Sequence, residues 1–205
     1  MSRIVPKEGD ALVLIDIQRD FCPGGALAVP DGDAILPEVE RLSHLFDTIV
    51  LTQDWHPADH ASFAVNHEGK QPFEMVDLAY GPQVLWPAHC VQGTPGADFV
   101  LAPWIQEKAQ LILRKGFRAG IDSYSAFLEN DKVTKTGLAG YLKERGIRRV
   151  VLAGLATDYC VGFSALDAVA AGFEAVVVEA ACRGIAAETI AAQRDEMLAA
   201  GVQLA

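Results

Sequence analysis

Apolar residues along this chain gather into short continuous runs that alternate with segments of helical spacing. Four runs rich in β-branched residues stand out: Ala11 to Ile17, Thr48 to Thr52, Val150 to Leu155 and Ala175 to Val178. A shorter run, Leu111-Ile112-Leu113, lies mid-chain, and Val202-Gln203-Leu204 offers a last edge strand. Runs that are apolar at every position, and not at alternate ones, read as parallel strands buried on both faces. Between them, apolar residues recur three and four apart over Ala34 to Phe46, Lys135 to Arg145, Val161 to Ala171 and Ala186 to Ala200, which predicts helices. Gly146, Gly172 and Gly201 follow three of these, where a left-handed C-terminal cap favours glycine. The alternation predicts an α/β chain: a single doubly wound domain over residues 1–205, its mostly parallel sheet covered by helices on both faces. Two stretches break the rhythm, Trp55 to Phe99 and Arg118 to Asn130. In such folds, long irregular segments after strand ends build the ligand crevice.

The polar residues that end the strands carry the next inference. Asp16 interrupts the first run, Asp54 closes the second, Lys115 follows Leu111-Ile112-Leu113-Arg114, and Cys160 follows the fourth run within Ala153-Gly154-Leu155-Ala156-Thr157-Asp158-Tyr159. The carboxyl ends of parallel strands converge on one crevice, so these side chains are expected to meet. Cys160 is expected in the first turn of a helix, where unpaired N–H groups and the macrodipole favour a thiolate. A carboxylate that takes the thiol proton and a lysine that steadies both anions complete a nucleophilic set. Asp16 with Lys115 alone would read as a structural ion pair; the cysteine tips the balance toward catalysis.

Asp54-Trp55-His56-Pro57-Ala58-Asp59-His60 and the later Trp86-Pro87-Ala88-His89-Cys90 hold three of the five histidines. An Asp-x-His pair joined by a distant His suits a zinc-type or iron-type site, and the absence of thiolate ligands leaves positions open for water or substrate. Cys90 reads as buried packing, and His44 and His67 as surface residues.

Composition narrows the class. A net charge of −10 argues against nucleic acid and anionic membrane as partners. No apolar run approaches the roughly 20 residues that span a bilayer, and Met1 to Asp10 lacks the apolar stretch of a signal peptide. The four cysteines lack CxxC spacing, so a reducing cytoplasm is expected.

Taken together, residues 14–25 around Asp16, 52–63 around Asp54 and His56, 86–94 around His89, 114–117, 122–127 and 154–161 resemble the nicotinamidases among the isochorismatase-like cysteine hydrolases. The likeness runs from about residue 11 to 183, and the Asp-Trp-His-Pro and Trp-Pro-x-His-Cys segments are its specific part. It implies a metal-dependent amidohydrolase that converts nicotinamide to nicotinate and ammonia through a cysteine thioester. It further implies a place in NAD salvage and action on pyrazinamide. It makes Asp16, Lys115 and Cys160 the catalytic triad, and Asp54, His56 and His89 the ligands of one divalent ion (zinc, iron or manganese). His60 is a direct ligand in some relatives and lies near metal-bound water in others. The oxyanion donors fall on the backbone N–H groups of Ala156 and Cys160, with a cis peptide between Leu155 and Ala156. Phe21, Leu27, Trp86, Tyr124 and Tyr159 correspond to the walls around the substrate ring. The oligomeric state stays open, with pairing through exposed helices common in such domains. The alternative is another hydrolase of the superfamily acting on a different small amide, and bound metal separates the two.

Overall fold

The structure, a computed structural model, describes residues 4–205; of the Met1 to Asp10 stretch, the first three residues lie outside it. Six parallel strands form the central sheet: β1 (Asp10–Ile15), β2 (Ile49–Asp54), β5 (Leu111–Lys115), β6 (Arg149–Leu155), β7 (Glu174–Arg183) and β8 (Gln203–Leu204). A small antiparallel pair, β3 (Met75–Leu78) and β4 (Gly81–Val84), stands apart. The helices are α1 (Leu36–Leu45), α2 (Pro103–Lys108), α3 (Leu138–Glu144), α4 (Gly162–Ala170) and α5 (Ala187–Ala199).

The order across the sheet is β5-β2-β1-β6-β7-β8. From β1 the chain first builds outward through β2 and β5, then returns to lay β6 on the other side of β1. That reversal makes the carboxyl ends of β1 and β6 the switch point, where open α/β sheets bind ligands.

Successive side chains of a strand point to opposite faces, and both faces here are buried. Leu12, Leu14, Ile49, Leu51, Val151 and Ala153 pack with Val39 and Leu42 of α1 and Ile105 of α2. Ala11, Val13, Ile15, Val50, Val150 and Leu152 pack with Leu138 and Leu142 of α3, Ala165 and Ala168 of α4 and Met197 of α5. No helix among the described residues is long and apolar enough to cross a membrane.

The elements differ from the expected ones chiefly at their ends. The first strand stops at Ile15, because Asp16 turns off the strand line with φ 46°. The predicted Val161 to Ala171 helix follows a π turn, Thr157–Val161, and begins as α4 at Gly162. The Lys135 to Arg145 helix begins only at Leu138, after Gly137 at φ 99°. The Ala34 to Phe46 helix opens as a 3-10 turn, Gly32–Ile35, before α1. β7 runs five residues past Val178, through Glu179 and Ala180, which are exposed. Gly154, at φ 135°, lets β6 crowd against the end of β1; a Cβ there would lie 2.1 Å from the Ile15 carbonyl oxygen.

Candidate active site

Asp16, Lys115 and Cys160 meet below the switch point. Lys115 Nζ lies 2.7 Å from Asp16 Oδ2 and 3.4 Å from Cys160 Sγ, and it donates to the Ser123 carbonyl at 2.9 Å. Asp16 is held from behind: Thr52 Oγ1 donates to its Oδ1 at 2.6 Å, and its own N–H donates to Thr52 Oγ1 at 3.1 Å. Lys115 also donates to Asp54 Oδ1 at 2.5 Å, so a single cation serves two buried carboxylates.

That sharing pulls the two acids apart. Burial pushes the Asp16 carboxyl up to about 6, against the pull of Lys115 and with the push of Asp54. Burial would raise Asp54 too, but Lys115 and His56 more than offset it and hold Asp54 well below the usual carboxylate range. Separated values of this kind mark acid–base roles, with Asp16 the group poised to exchange a proton near neutrality.

Cys160 lies in the π turn Thr157–Val161 at the end of β6, where such turns recur at functional sites. The expectation of a resting thiolate is corrected here. Burial pushes the Cys160 thiol well above its ordinary value, the carboxylates of Asp16 and Asp54 push the same way, and Lys115 only partly opposes them. A helix-tip field does not outweigh desolvation beside two acids. The Leu155–Ala156 peptide is cis. The N–H groups of Tyr159 and Val161 both donate to the Ala156 carbonyl, while the Ala156 N–H itself donates to no group among the described residues.

Above this set stand Asp54, His56 and His89. His56 Nδ1 donates to the Gly116 carbonyl at 2.9 Å and His89 Nδ1 to the Pro87 carbonyl at 2.8 Å. A carbonyl only accepts, so each ring carries a proton on Nδ1, and in the neutral ring Nε2 is left as a lone pair. Those lone pairs face Asp54 Oδ2 at 3.5 and 3.8 Å. With both rings neutral, three acceptors converge, an arrangement that fits a divalent cation; without one, and against the opposing effect of burial, Asp54 raises the pKa of His56.

His60 differs. Its Nδ1 accepts from the Ser62 N–H at 3.2 Å and lies 2.7 Å from Ser62 Oγ, and its Nε2 donates to the Ile121 carbonyl at 3.2 Å. Burial, with His56 nearby, lowers its pKa to about 4 and keeps it neutral. Both ring nitrogens are hydrogen-bonded within the chain, and His60 groups with His56 and Asp122 and not with Asp54 and His89.

Gly116 makes the His56 position available. A Cβ on it would meet His56 Cε1 at 2.3 Å and Nδ1 at 2.6 Å, and its φ of 64° lies in the left-handed region that favours glycine. Gly116→Ala is expected to cost about 2 kcal/mol or more in stability and to reduce retained metal after dialysis. Thermal unfolding and metal analysis check this; unchanged values for both would contradict it.

The cavity between the two sets is narrow, with a volume of about 30 Å³. Phe21, Leu27, Trp86, Tyr124 and Tyr159 all line it, as do Asp122 and Ile185, which the sequence did not single out. Asp16 and Lys115 are not among the lining residues and have no exposure to solvent beyond 1%. Trp86 meets Tyr159 edge-on at 4.9 Å and Tyr124 at 6.2 Å, so the aromatic wall is itself packed. Among the other histidines, His44 is exposed and stacks on Trp104. His67, expected at the surface, is half-buried and bonded to the Ala61 carbonyl.

Several residues that hold the site resembled ordinary polar positions. Gln18, fully buried, donates through Nε2 to the Asp54 carbonyl at 2.8 Å and accepts the Asp54 N–H at 2.8 Å, clasping both sides of that residue. Asp20 accepts the N–H groups of Cys90 at 2.7 Å and Ala26 at 3.1 Å, tying the loop of Leu27 to that of His89. Asp158 accepts from the N–H groups of Ile185 and Ala186 and the Thr189 hydroxyl, anchoring the π turn to the start of α5.

With this geometry in place, comparison with known proteins is informative. Residues 10–205 match the Isochorismatase domain family. The chain is 55% identical to the nicotinamidase of Acinetobacter baylyi, over 94% of this chain and 90% of that protein. Its structure superposes on the Acinetobacter baumanii nicotinamidase/pyrazinamidase with a TM-score of 0.92 at 53% identity, covering 97% and 96% of the two chains. It also superposes on the pyrazinamidase of Pyrococcus horikoshii in complex with zinc, with a TM-score of 0.79 at 38% identity and coverage of 96% and 98%.

Proposed function

This chain belongs to the isochorismatase-domain family, and we propose from that premise that it is a nicotinamidase, hydrolysing nicotinamide to nicotinate and ammonia. The observation that carries the reading is the pairing, around one cavity, of a buried Asp16–Lys115–Cys160 set with three converging metal-type ligands. Superfamily members that lack a metal have no use for the second set, and this disfavours the alternative of a different small amide. Asp54, His56 and His89 would hold the ion, and the donor set suits zinc, iron or manganese. When bound, it would supply a Lewis acid that anchors the ring nitrogen and acidifies coordinated water.

The chain's own residues then account for the chemistry. Phe21, Trp86 and Tyr124 flank the ring and bring the carboxamide carbon over Cys160 Sγ. Asp16 takes the thiol proton as sulfur attacks, which suits a carboxyl poised at about 6 beside a thiol that rests protonated. Lys115 offsets the negative charge that passes between sulfur and carboxylate. The N–H groups of Ala156 and Cys160 receive the oxyanion, where one donor is worth about 10²–10³ in rate. As the C–N bond breaks, Asp16 returns its proton to the departing ammonia and leaves a thioester. Water, deprotonated by Asp16, attacks the thioester carbon to release nicotinate and restore the thiol.

The product and substrate place the enzyme in the salvage of pyridine nucleotides, and pyrazinamide, with the same carboxamide on a related ring, is a second expected substrate. Four unpaired cysteines support a reducing compartment such as the cytoplasm.

The test is ammonia release from nicotinamide before and after chelation, with add-back of single metals. Release that is lost on chelation and regained with one ion is expected. A protein that binds metal stoichiometrically yet leaves nicotinamide intact would move the substrate to another amide.

A further inference from the structure

Gln83 of β4 has no part in the chemistry above, yet it is 1% exposed and each polar atom of its amide is engaged. Its Oε1 accepts from Asn130 Nδ2 at 3.1 Å and from the Tyr80 hydroxyl at 3.0 Å. Its two Nε2 hydrogens go to the Val84 carbonyl and the Tyr124 hydroxyl, both at 2.7 Å, with Asp122 Oδ2 farther off at 3.2 Å.

The direction of these bonds follows from the chemistry of the partners. Asn130 Oδ1 lies 3.0 Å from the backbone N–H of Tyr124, which only donates, so Asn130 must turn its Nδ2 to Gln83. Gln83 therefore meets Asn130 with its oxygen and presents its nitrogen to a carbonyl and a carboxylate, which only accept. The Tyr124 hydroxyl receives one N–H from Gln83 and a second, at 3.2 Å, from the Trp86 indole, which also only donates. Both of its lone pairs are thus occupied, and its own proton meets no acceptor among the described residues.

We infer that Gln83 is a positioning residue for the bound ring, acting through the Tyr124 hydroxyl. It locks Tyr124 against Trp86 in the cavity wall and leaves that hydroxyl able only to donate, so a ligand that reaches it must bring an acceptor. The inference rests on the nicotinamide-hydrolysing reading of the cavity. It extends the site to the β3–β4 hairpin, whose Gln83 amide helps to tie the irregular segments 55–99 and 118–130 together.

The experiment is a double-mutant cycle. Gln83→Met keeps the volume and removes the donors; Tyr124→Phe removes the hydroxyl. Gln83→Met is expected to raise KM for nicotinamide about tenfold, with kcat within about threefold, and Tyr124→Phe to raise KM about fivefold. In the Tyr124→Phe background, Gln83→Met should add less than about twofold, because the pathway is already cut. Gln83→Glu, which keeps the shape but replaces N–H with an acceptor, should fail to restore KM. A second readout needs no turnover: Gln83→Met should change the emission of Trp86, identified by its loss in Trp86→Phe, and should not change it in the Tyr124→Phe background. An unchanged KM with lowered kcat or stability would show a merely structural role and overturn the inference. So would a full KM effect in the Tyr124→Phe background, or rescue by Gln83→Glu. If the unaltered enzyme leaves nicotinamide intact, the functional reading fails, and the emission cycle alone decides whether Gln83 acts on Trp86 through Tyr124.

Discussion

Cys160→Ala is expected to lower ammonia release from nicotinamide by on the order of 10⁴–10⁶-fold, while leaving the fold and nicotinate binding in place. The loss is large because no neighbour can substitute as nucleophile. Asp16 and Lys115 hold each other at 2.7 Å, and a protonated lysine has no lone pair, so neither is a free nucleophile for the carboxamide carbon. The fold should survive because the substitution removes one small buried atom and leaves both charged neighbours paired: Lys115 keeps Asp16 at 2.7 Å and the Ser123 carbonyl at 2.9 Å. Direct assay of ammonia, with binding of nicotinate followed separately, distinguishes lost chemistry from a lost site. Turnover within about tenfold of the unaltered enzyme would sink the covalent scheme.

The same contrast between strands and their surroundings explains what the sequence could disclose. β1, β2 and β6 were legible because they are buried on both faces and so appear as unbroken apolar runs. Asp16, Asp54, Lys115 and Cys160 were legible because chemistry-bearing residues at the ends of such runs must share a crevice once the sheet is parallel. β7 extends beyond its apolar run because Glu179 and Ala180 face solvent yet stay within the strand. The β3–β4 hairpin left no trace, since four-residue strands with half-exposed alternation, one carrying Pro82, look like the loop around them. Gln18, Gln83, Asp20 and Asp158 were hidden for a different reason. Each is a polar residue whose burial and partners, tens of residues away, exist only after folding. The resting state of Cys160 was misjudged on the same ground: helix position can be read locally, but desolvation beside two carboxylates cannot.

Lys115→Met is the substitution that should damage both stability and chemistry. Among the described residues its ammonium is the only cation shared by Asp16 and Asp54, which are buried at 0% and 4% exposure. Removing it strands two carboxylates, and breaking a buried pair in this way costs about 3–5 kcal/mol. For a chain of this size each kcal/mol lowers Tm by about 2–4 °C. The pH dependence has a definite sign. Asp16 is already raised to about 6 in the folded protein, above its ordinary value of 3.8, so the folded state binds the extra proton and stability declines as pH rises between those values. Without Lys115 the raised value climbs further, and the variant should lose more stability on going from acid to neutral pH than the unaltered enzyme does. The thiol answers in the same direction. Lys115 pulls Cys160 downward against burial, Asp16 and Asp54, so its loss should shift the iodoacetamide reactivity of Cys160 to higher pH. Thermal unfolding at a series of pH values and alkylation rates on the same samples measure both effects. Matching unfolding curves with an unmoved alkylation profile would show that Lys115 neither holds the two acids nor steadies the developing thiolate, and the charge assignments at the centre of this site would have to be redrawn.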